Sequence, residues 1–285
     1  MAKNEGTFVG LLGRHRFMIA GAILVAFVSL FGLVGQLLVP EEMSEVGAGL
    51  PAKPPSAEHW LGTDQQGRDV LADLIYGTPT SLEIGVIAGV FGVTIGALVG
   101  LIAGYSGGFV DEIIKIIVDI LLTIPSLMIL IIVASMLGVV SVEAMALIIA
   151  ALSWMWPARA VRAQVLTIRE RMYVQVARFN GASNMRIIIG ELLPNLIPYL
   201  AANLVGAISG AILASVGLST LGLGPLTRPS LGLTFYWAIT YGALLRQMWW
   251  WFLPPIVIIV ILFLGLFLMS QGLDRIANPR LQSKA

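Results

Sequence analysis

The stretch RAVRAQVLTIRERMYVQVARFNGASNMRIIIGELLPNLIP, residues 159–198, lies between two long hydrophobic blocks and carries six arginines against two glutamates. Its first half has a helical stripe of apolar residues spaced three and four apart: Ile168, Met172, Val176 and Phe179. Gly181 interrupts the helical pattern, and a second short helical run leads to Pro194. The pattern predicts a basic helix-turn-helix insert between membrane helices, lying at the cytoplasmic membrane face.

The composition around this insert is that of a membrane protein. Hydrophobic residues make up 58% of the 285 residues and charged residues 12%, far from the balance of a soluble domain. Several apolar runs are long enough to cross a bilayer. We therefore predict an all-α integral membrane protein with six transmembrane helices, at 17–39, 81–103, 113–137, 141–157, 196–221 and 249–269.

The positive charges predict the orientation of these helices. Thirteen Lys and Arg residues fall on the side of the two termini and the Arg-rich insert, against four on the other side. Since basic residues accumulate on the cytoplasmic side, both termini are expected in the cytoplasm. The first helix is longer than a signal peptide's apolar region, which predicts an uncleaved anchor. The extracytoplasmic segment 40–80 begins with several prolines and ends in a short amphipathic helix.

Several kinds of active site are not supported. There is no cysteine, and the two histidines, His15 and His59, fall on opposite sides of the predicted membrane. No GxxxxGK[ST] loop occurs, so any ATP used would be bound by another chain. Residues 104–108, GYSGG, fit the GxSxG pattern of serine hydrolases, but they follow a membrane helix rather than a strand. These patterns do not favour an enzyme, and from the residues alone a membrane scaffold also remains open.

Two other transport classes remain alternatives. A channel would show a ring of polar or acidic residues, and a secondary carrier would usually show internal repeats with broken helices. Neither pattern is evident in the sequence.

The central stretch resembles the "EAA" loop of ABC-importer permeases. The resemblance lies in residues 173–183, YVQVARFNGAS, and in the apolar run that ends at Leu193-Pro194-Asn195. The match has departures: the family's Glu falls on Gln175, its first Ala on Val176, and a basic-His pair on Gly190 and Glu191.

The extracytoplasmic segment gives a narrower resemblance. Residues 60–70, WLGTDQQGRDV, closely resemble the LGTDxxGRDV signature of the dipeptide/oligopeptide/nickel permeases. Further matches in the family's order occur at 123–126, 158–162, 229–232 and 278–281. The signature residues are Gly62, Thr63, Asp64, Gly67, Arg68 and Asp69. Together these matches point to the C-type membrane subunit, with a type I ABC importer permease fold.

The resemblance implies a division of the chain and a set of partners. Residues 1–80 would hold the tail, the first helix and the extracytoplasmic segment, and 81–285 the permease core with a cytoplasmic coupling loop at 159–195. The partners would be a homologous second permease subunit forming a heterodimer, two ABC ATPase subunits, an extracytoplasmic solute-binding protein and the lipid bilayer of the inner membrane, with no nucleic acid. This chain would hold no cofactor, because ATP and Mg would bind to the ATPases.

The family's coupling role falls on residues 168–190 of this chain. The expected ATPase contacts are Tyr173, Val176, Ala177, Arg178, Phe179, Gly181 and Ala182. Small Ala177 would permit close approach, and Phe179 would fill a pocket of the partner. Di- and oligopeptides are the expected cargo, with nickel or oligosaccharides as alternatives, because substrate choice rests largely with the binding protein.

Overall fold

The computed structural model of the chain describes residues 16–138 and 140–277, and this part is folded into α-helices joined mostly by short connections, with one long loop at 39–69. We number the helices in chain order: α1 Arg16–Leu38, α2 Val70–Ser106, α3 Gly108–Thr123, α4 Ser126–Leu137, α5 Val142–Ser153, α6 Met155–Ile168, α7 Met172–Phe179, α8 Asn184–Ile187, α9 Leu193–Thr220, α10 Leu231–Thr240 and α11 Trp249–Ala277. The tails 1–15 and 278–285, with the predicted 278–281 match, lie outside the described residues.

Five helical stretches of the described chain are long and apolar enough to cross a membrane: Arg16–Leu38, Val70–Ser106, Val142–Ile168, Asn184–Thr220 and Trp249–Arg275. A sixth is possible if α3 and α4, which meet at a 76° bend, count as one span. The prediction of an all-helical, multi-pass membrane protein is confirmed at this level, while the cytoplasmic placement of the termini stays a prediction.

The second predicted span, 81–103, is part of a longer helix. The short amphipathic helix expected before it and the span itself are one continuous helix, α2, which begins at Val70 and contains Pro79. The proline ring lies at the crossing with α1, where a Cβ on Gly32 would be 2.7 Å from it. Next to the proline, the hydroxyls of Thr78 and Ser81 donate to backbone carbonyls one turn back, at 2.7 and 3.1 Å. The proline is thus accommodated inside the helix and does not end it.

The third predicted span, 113–137, is broken. Ile124 is extended (φ −86°, ψ 126°) and separates α3 from α4. The residue before a proline avoids the helical region, and Pro125 therefore explains the interruption.

The helices on either side of the Arg-rich stretch also extend further than predicted. The fourth predicted span, 141–157, continues through α6 to Ile168, so Arg159 and Arg162 lie on a helix and not in a loop. On the other side, α8 runs through a π-helical turn, Ile188–Leu192, directly into α9. Pro194 is the second residue of α9 and follows directly on the π-helical turn.

Helix α2 lies at the centre, and a row of glycines four residues apart packs closely against its neighbour: Gly92, Gly96, Gly100 and Gly104. A Cβ on Gly96 would come within 2.5 Å of the Trp154 carbonyl oxygen, and one on Gly100 within 2.6 Å of the Ala158 carbonyl oxygen. The glycines of α2 therefore serve helix–helix packing against α6. The two glycines Gly206 and Gly210 of α9 are not packed in this way, because a Cβ on either would meet nothing within 4 Å in the described chain.

Candidate functional site

The residues predicted to contact an ATPase lie on α7 and the turn that follows it. Helix α7 is held to the rest of the chain by Val174, which is 0% exposed. Val174 packs in a cluster with Val161 and Val165 of α6 and with Ile187. The short helix is therefore fixed to the long helices on both sides of it and does not hang from a free loop.

The outer face of α7 is apolar and exposed. The side chains of Met172, Tyr173, Val176 and Phe179 are exposed by 74%, 42%, 49% and 89%. Spacings of three and four place them on one side of the helix. A contiguous exposed apolar patch at a polar end of a protein marks an interaction surface.

The predicted site residues divide between the two faces of α7. Tyr173, Val176, Arg178 and Phe179 are exposed, and so is Gly181. Ala177 and Ala182 are half-buried and pack against the cluster that contains Val174. The structure thus places the two alanines on the side that faces the chain itself.

A tight turn at Gly181 ends α7 and starts α8. Gly181 has a φ of +76°, and its N–H donates to the Arg178 carbonyl at 3.0 Å. The N–H of Ala182 donates to the Ala177 carbonyl at 3.1 Å, and the Ser183 hydroxyl caps α8. A residue with a Cβ disfavours this left-handed backbone, which explains the glycine.

Polar contacts join this segment to the end of α2. The Tyr105 hydroxyl donates to Asn184 Oδ1 at 2.8 Å, and the Arg178 guanidinium lies 6.0 Å from the centre of the Tyr105 ring. Arg169 Nη1 donates to the Gly104 carbonyl at 2.8 Å. The GYSGG stretch therefore forms a structural turn that contacts α7 and α8.

Two aspartates of α3 pair with arginines of α6, contacts that the sequence did not predict. Asp111 accepts two hydrogen bonds from Arg162, at 2.5 and 2.7 Å, and Asp119 lies 3.7 Å from Arg159. Lys115 lies four positions from each aspartate along α3, a spacing that would favour pairs within the helix. The partners lie 40 or more positions away in sequence, which local spacing cannot reveal.

The six signature residues form a folded loop at the other end of the molecule. Thr63 and Asp69 pair as an isolated antiparallel bridge, and between them the Asp64 carboxylate accepts from the backbone N–H groups of Gln66 and Arg68, at 2.7 and 2.9 Å. Gly62 and Gly67 have positive φ angles. Burial raises the pKa of Asp64, although these backbone hydrogen bonds oppose the shift.

Asp69 connects this loop to α2. Its Oδ1 accepts from the Ala72 N–H at 2.9 Å and caps the helix, while its Oδ2 lies 2.7 Å from His59 Nδ1. Both side chains are buried. Asp69 therefore fixes the residue at which α2 begins. The sequence selected Asp69 only because it matches the family signature, which does not reveal this role.

Further contacts bind the loop to α10 and α11. The Trp250 indole donates to the Thr63 carbonyl at 3.2 Å, and the Arg68 guanidinium lies 5.7 Å from the centre of the Trp237 ring. Below the loop, the Thr234 hydroxyl donates to buried Asp73 at 2.6 Å. Within residues 16–138 and 140–277, no group of His, Cys, Asp and Glu could hold a metal ion. The side chains of Thr63, Asp64 and Asp69 are buried, so these signature residues hold the loop together at this end of the molecule.

A large cavity opens along the bend between α3 and α4. It has a volume of about 840 Å³ and is lined by residues of α3 to α6, α9 and the end of α11. Its α9 wall is small and partly polar, with Asn203, Gly206, Ala207 and Gly210.

Comparison with known proteins gives three findings. Residues 96–283 match the family described as "Binding-protein-dependent transport system inner membrane component". The oligopeptide transport system permease protein OppC of Mycobacterium tuberculosis (strain ATCC 25618 / H37Rv) is 34% identical over 214 residues, covering 74% of this chain and 73% of the relative. The dipeptide transport system permease protein DppC of Bacillus subtilis (strain 168) is 31% identical, covering 75% and 66%.

A solved structure shares the fold. A chain of the MetNI methionine ABC transporter, in an inward-facing conformation, superposes with a TM-score of 0.57 at 22% identity. The superposition covers 71% of this chain and 94% of the other.

Proposed function

This chain belongs to the family of binding-protein-dependent transport system inner membrane components, and from that premise we propose that it is one of two permease subunits of an ATP-driven importer of di- and oligopeptides. A homologous second permease would complete the path, two ATPases would bind at the Arg-rich end, and a solute-binding protein would deliver the cargo at the other. The observation that carries the proposal is the exposed apolar face of α7, held on a helix that is anchored from behind.

The coupling step follows from that anchoring. An ATPase that grips Tyr173, Val176 and Phe179 would move α7 as it closes. Because Val174 is packed between α6 and the residues that lead into α9, the motion would pass to two long helices at once. A loop without such an anchor would absorb the displacement.

The path for the cargo would lie along the cavity beside α9. Its volume of about 840 Å³ is within the range of small-molecule sites, and its small side chains leave room for ligands of varied shape. Gly206 and Gly210 have no packing partner in the described chain, and the second permease would face them across the path. The peptide cargo rests on the relatives in Mycobacterium and Bacillus; nickel or oligosaccharides are the alternatives within the same class of importer.

The first experiment is purification of the full-length chain from its native membrane in mild detergent, with identification of the accompanying proteins. We expect a second permease and ATPase subunits, with ATP hydrolysis that a solute-binding protein stimulates. A chain that purifies alone, and that transports in ATP-free vesicles under an ion gradient, would show a secondary carrier or channel instead.

A matched pair of variants tests the coupling surface. Phe179→Ala removes the most exposed side chain of α7, and we expect binding-protein-stimulated ATP hydrolysis and peptide uptake to fall at least about tenfold, because buried aromatic anchors dominate such interfaces. Phe27→Ala, at a 60% exposed phenylalanine of α1, should leave both rates unchanged. Equal rates in the two variants would place ATPase docking elsewhere.

A further inference from the structure

The cavity beside α9 has a single charged side chain in its wall, that of Asp274. Asp274 lies near the end of α11, and the start of that helix is joined to the signature loop by the hydrogen bond from Trp250 to Thr63. The acid is therefore placed at the opposite end of the molecule, the end that bears α7. Cargo on the proposed path would pass this acid as it leaves the cavity.

No cation of the described chain neutralises this carboxylate. The Asp274 side chain is half-buried, and no Lys or Arg among the described residues lies within ion-pairing distance of it. The neighbouring Arg275 lies over the ring of Phe17, with its guanidinium 4.4 Å from the ring centre. A carboxylate that is partly withdrawn from water and unpaired is stabilised by a cation that enters the cavity.

The rest of the wall also suits a positive charge. The side-chain nitrogen of Asn203 donates to the Tyr199 carbonyl at 2.9 Å, so its oxygen is left as an acceptor facing the cavity. Trp156 is part of the wall and is 67% exposed, and the face of an indole ring attracts organic ammonium groups. Neither Lys nor Arg lines the cavity, so an anionic group would find no cation there.

We propose that Asp274 binds the protonated amino group of the cargo peptide as it passes through the cavity. This role rests on the proposed function and narrows the cargo of the importer. A nickel ion would need several protein ligands, and no group of three or more His, Cys, Asp and Glu residues within 16–138 and 140–277 could hold a metal ion. An oligosaccharide carries no charge for Asp274 to pair with. The cavity thus favours a peptide with a free amino terminus.

The test uses the full-length chain, with the subunits that accompany it, in mild detergent and without the binding protein. The chain has no cysteine, so Gly206→Cys places its only thiol in the cavity wall, where a Cβ meets no neighbour within 4 Å. The thiol is reacted with two methanethiosulfonates of similar size, one with a trimethylammonium group and one with a sulfonate, and the mass of this chain gives each rate. We expect the ratio of the cationic to the anionic rate to fall at least about threefold when Asp274→Asn is added, because the lost charge acts on the two reagents with opposite signs.

Two further variants serve as controls. Glu112→Gln removes an equal charge from an exposed position at the same end of the molecule but outside the cavity, and it should leave the ratio unchanged. Asp274→Glu keeps the charge and should preserve the ratio.

Peptides test recognition of the amino group itself. Trialanine should slow the reaction of the Gly206→Cys thiol, whereas N-acetyl-trialanine at the same concentration should not. Asp274→Asn should abolish this difference between the two peptides.

Three results would overturn the role of Asp274. These are a ratio that Asp274→Asn leaves unchanged, an equal fall with Glu112→Gln, and equal protection by the two peptides. If Asp274→Asn misfolds, the ratio for Gly206→Cys is compared with that for 2-mercaptoethanol in solution, and equal ratios would count against the proposal. The labelling requires neither ATP nor transport, so its failure leaves the proposed importer standing, whereas a chain that purifies without ATPases would remove the importer whatever the ratio.

Discussion

The loop of residues 40–69, which we expect on the extracytoplasmic side, and the proposed coupling segment, residues 169–187, are both recognisable in the sequence but are built in opposite ways. In the loop, polar side chains turn inward: Thr63, Asp64 and Asp69 each hold backbone or side-chain partners. In the coupling segment, Val174 turns inward and the large apolar side chains turn outward. The loop is complete within this chain, whereas the segment leaves apolar surface uncovered.

This difference separates two meanings of a sequence signature. The LGTD and GRD residues are explained by the structure that they stabilise, so changing them should affect folding. The exposed residues of α7 contribute little to this chain's own packing, so changing them should affect what the chain binds. The following predictions test this distinction. It fails if a loop variant loses transport while remaining stable, or if a variant of the α7 region loses stability and not coupling.

The largest effect is expected from Asp69→Ala. The variant removes the cap of α2, worth about 1 kcal/mol, and leaves buried His59 without its partner, at a cost of about 1–3 kcal/mol. We expect a clear fall in the thermal unfolding midpoint of the purified complex and faster proteolysis of the loop. Transport per folded molecule should remain close to wild type.

Asp69→Asn is the matched control, because an asparagine oxygen can still cap the helix. It should recover a large part of the lost stability. A stable Asp69→Ala protein that no longer transports would mean that the loop acts directly on the binding protein or the cargo.

The next effect is expected from Gly181→Val. A Cβ at this position meets no neighbour, but the backbone φ of +76° disfavours any β-branched residue by about 1–3 kcal/mol. The turn should rearrange locally, and α7 should no longer sit correctly against an ATPase. We expect normal membrane insertion and at most a modest fall in the thermal unfolding midpoint, with ATP hydrolysis uncoupled from uptake.

Gly190→Val provides the comparison, since its Cβ would also enter open space and Gly190 lacks a positive φ. It should couple better than Gly181→Val. Normal uptake by the Gly181→Val protein would remove the turn from the coupling mechanism.

The smallest effect is expected from Asp64→Asn. Burial raises the pKa of Asp64, so the folded loop favours the protonated carboxyl and loses stability as pH rises through that pKa. Asparagine keeps an oxygen for the Gln66 and Arg68 N–H groups but does not titrate. Thermal unfolding between about pH 4 and pH 7 should show the variant gaining stability relative to wild type toward higher pH. A gain toward lower pH would contradict this account.

Much of this architecture could be predicted from the sequence. Apolar runs located the helices, and the resemblance to ABC-importer permeases is confirmed by the family match and by the relatives. The ends of helices were harder to predict. The ring of Pro79, inside α2, packs against Gly32 of α1, and nothing near Pro79 in sequence announces that neighbour.

The contacts that define the sites were mostly beyond prediction. Arg162 and Asp111, or Asp73 and Thr234, are brought together by helix packing over 51 and 161 positions. The inward orientation of Ala177 and Ala182 likewise depends on which face Val174 buries. Periodicity predicts that a helix has two faces, but not which of them a partner will cover.

The π-helical turn at Ile188–Leu192 has a consequence for the rotational phase of the molecule. A π turn holds one more residue than the α-helical turn it replaces, and each residue of an α-helix advances the chain by about 100° about the axis. Because the turn itself absorbs the extra residue, everything before it, α7 included, keeps nearly the direction that it would have on a regular helix one residue shorter. Deleting Gly190, whose Cβ position is open, would therefore restore a regular helix and leave the α7 face nearly in place, whereas deleting one residue from a regular part of α9 would swing that face by about 100°. The π turn thus accommodates an additional residue without redirecting the force that enters the membrane helices.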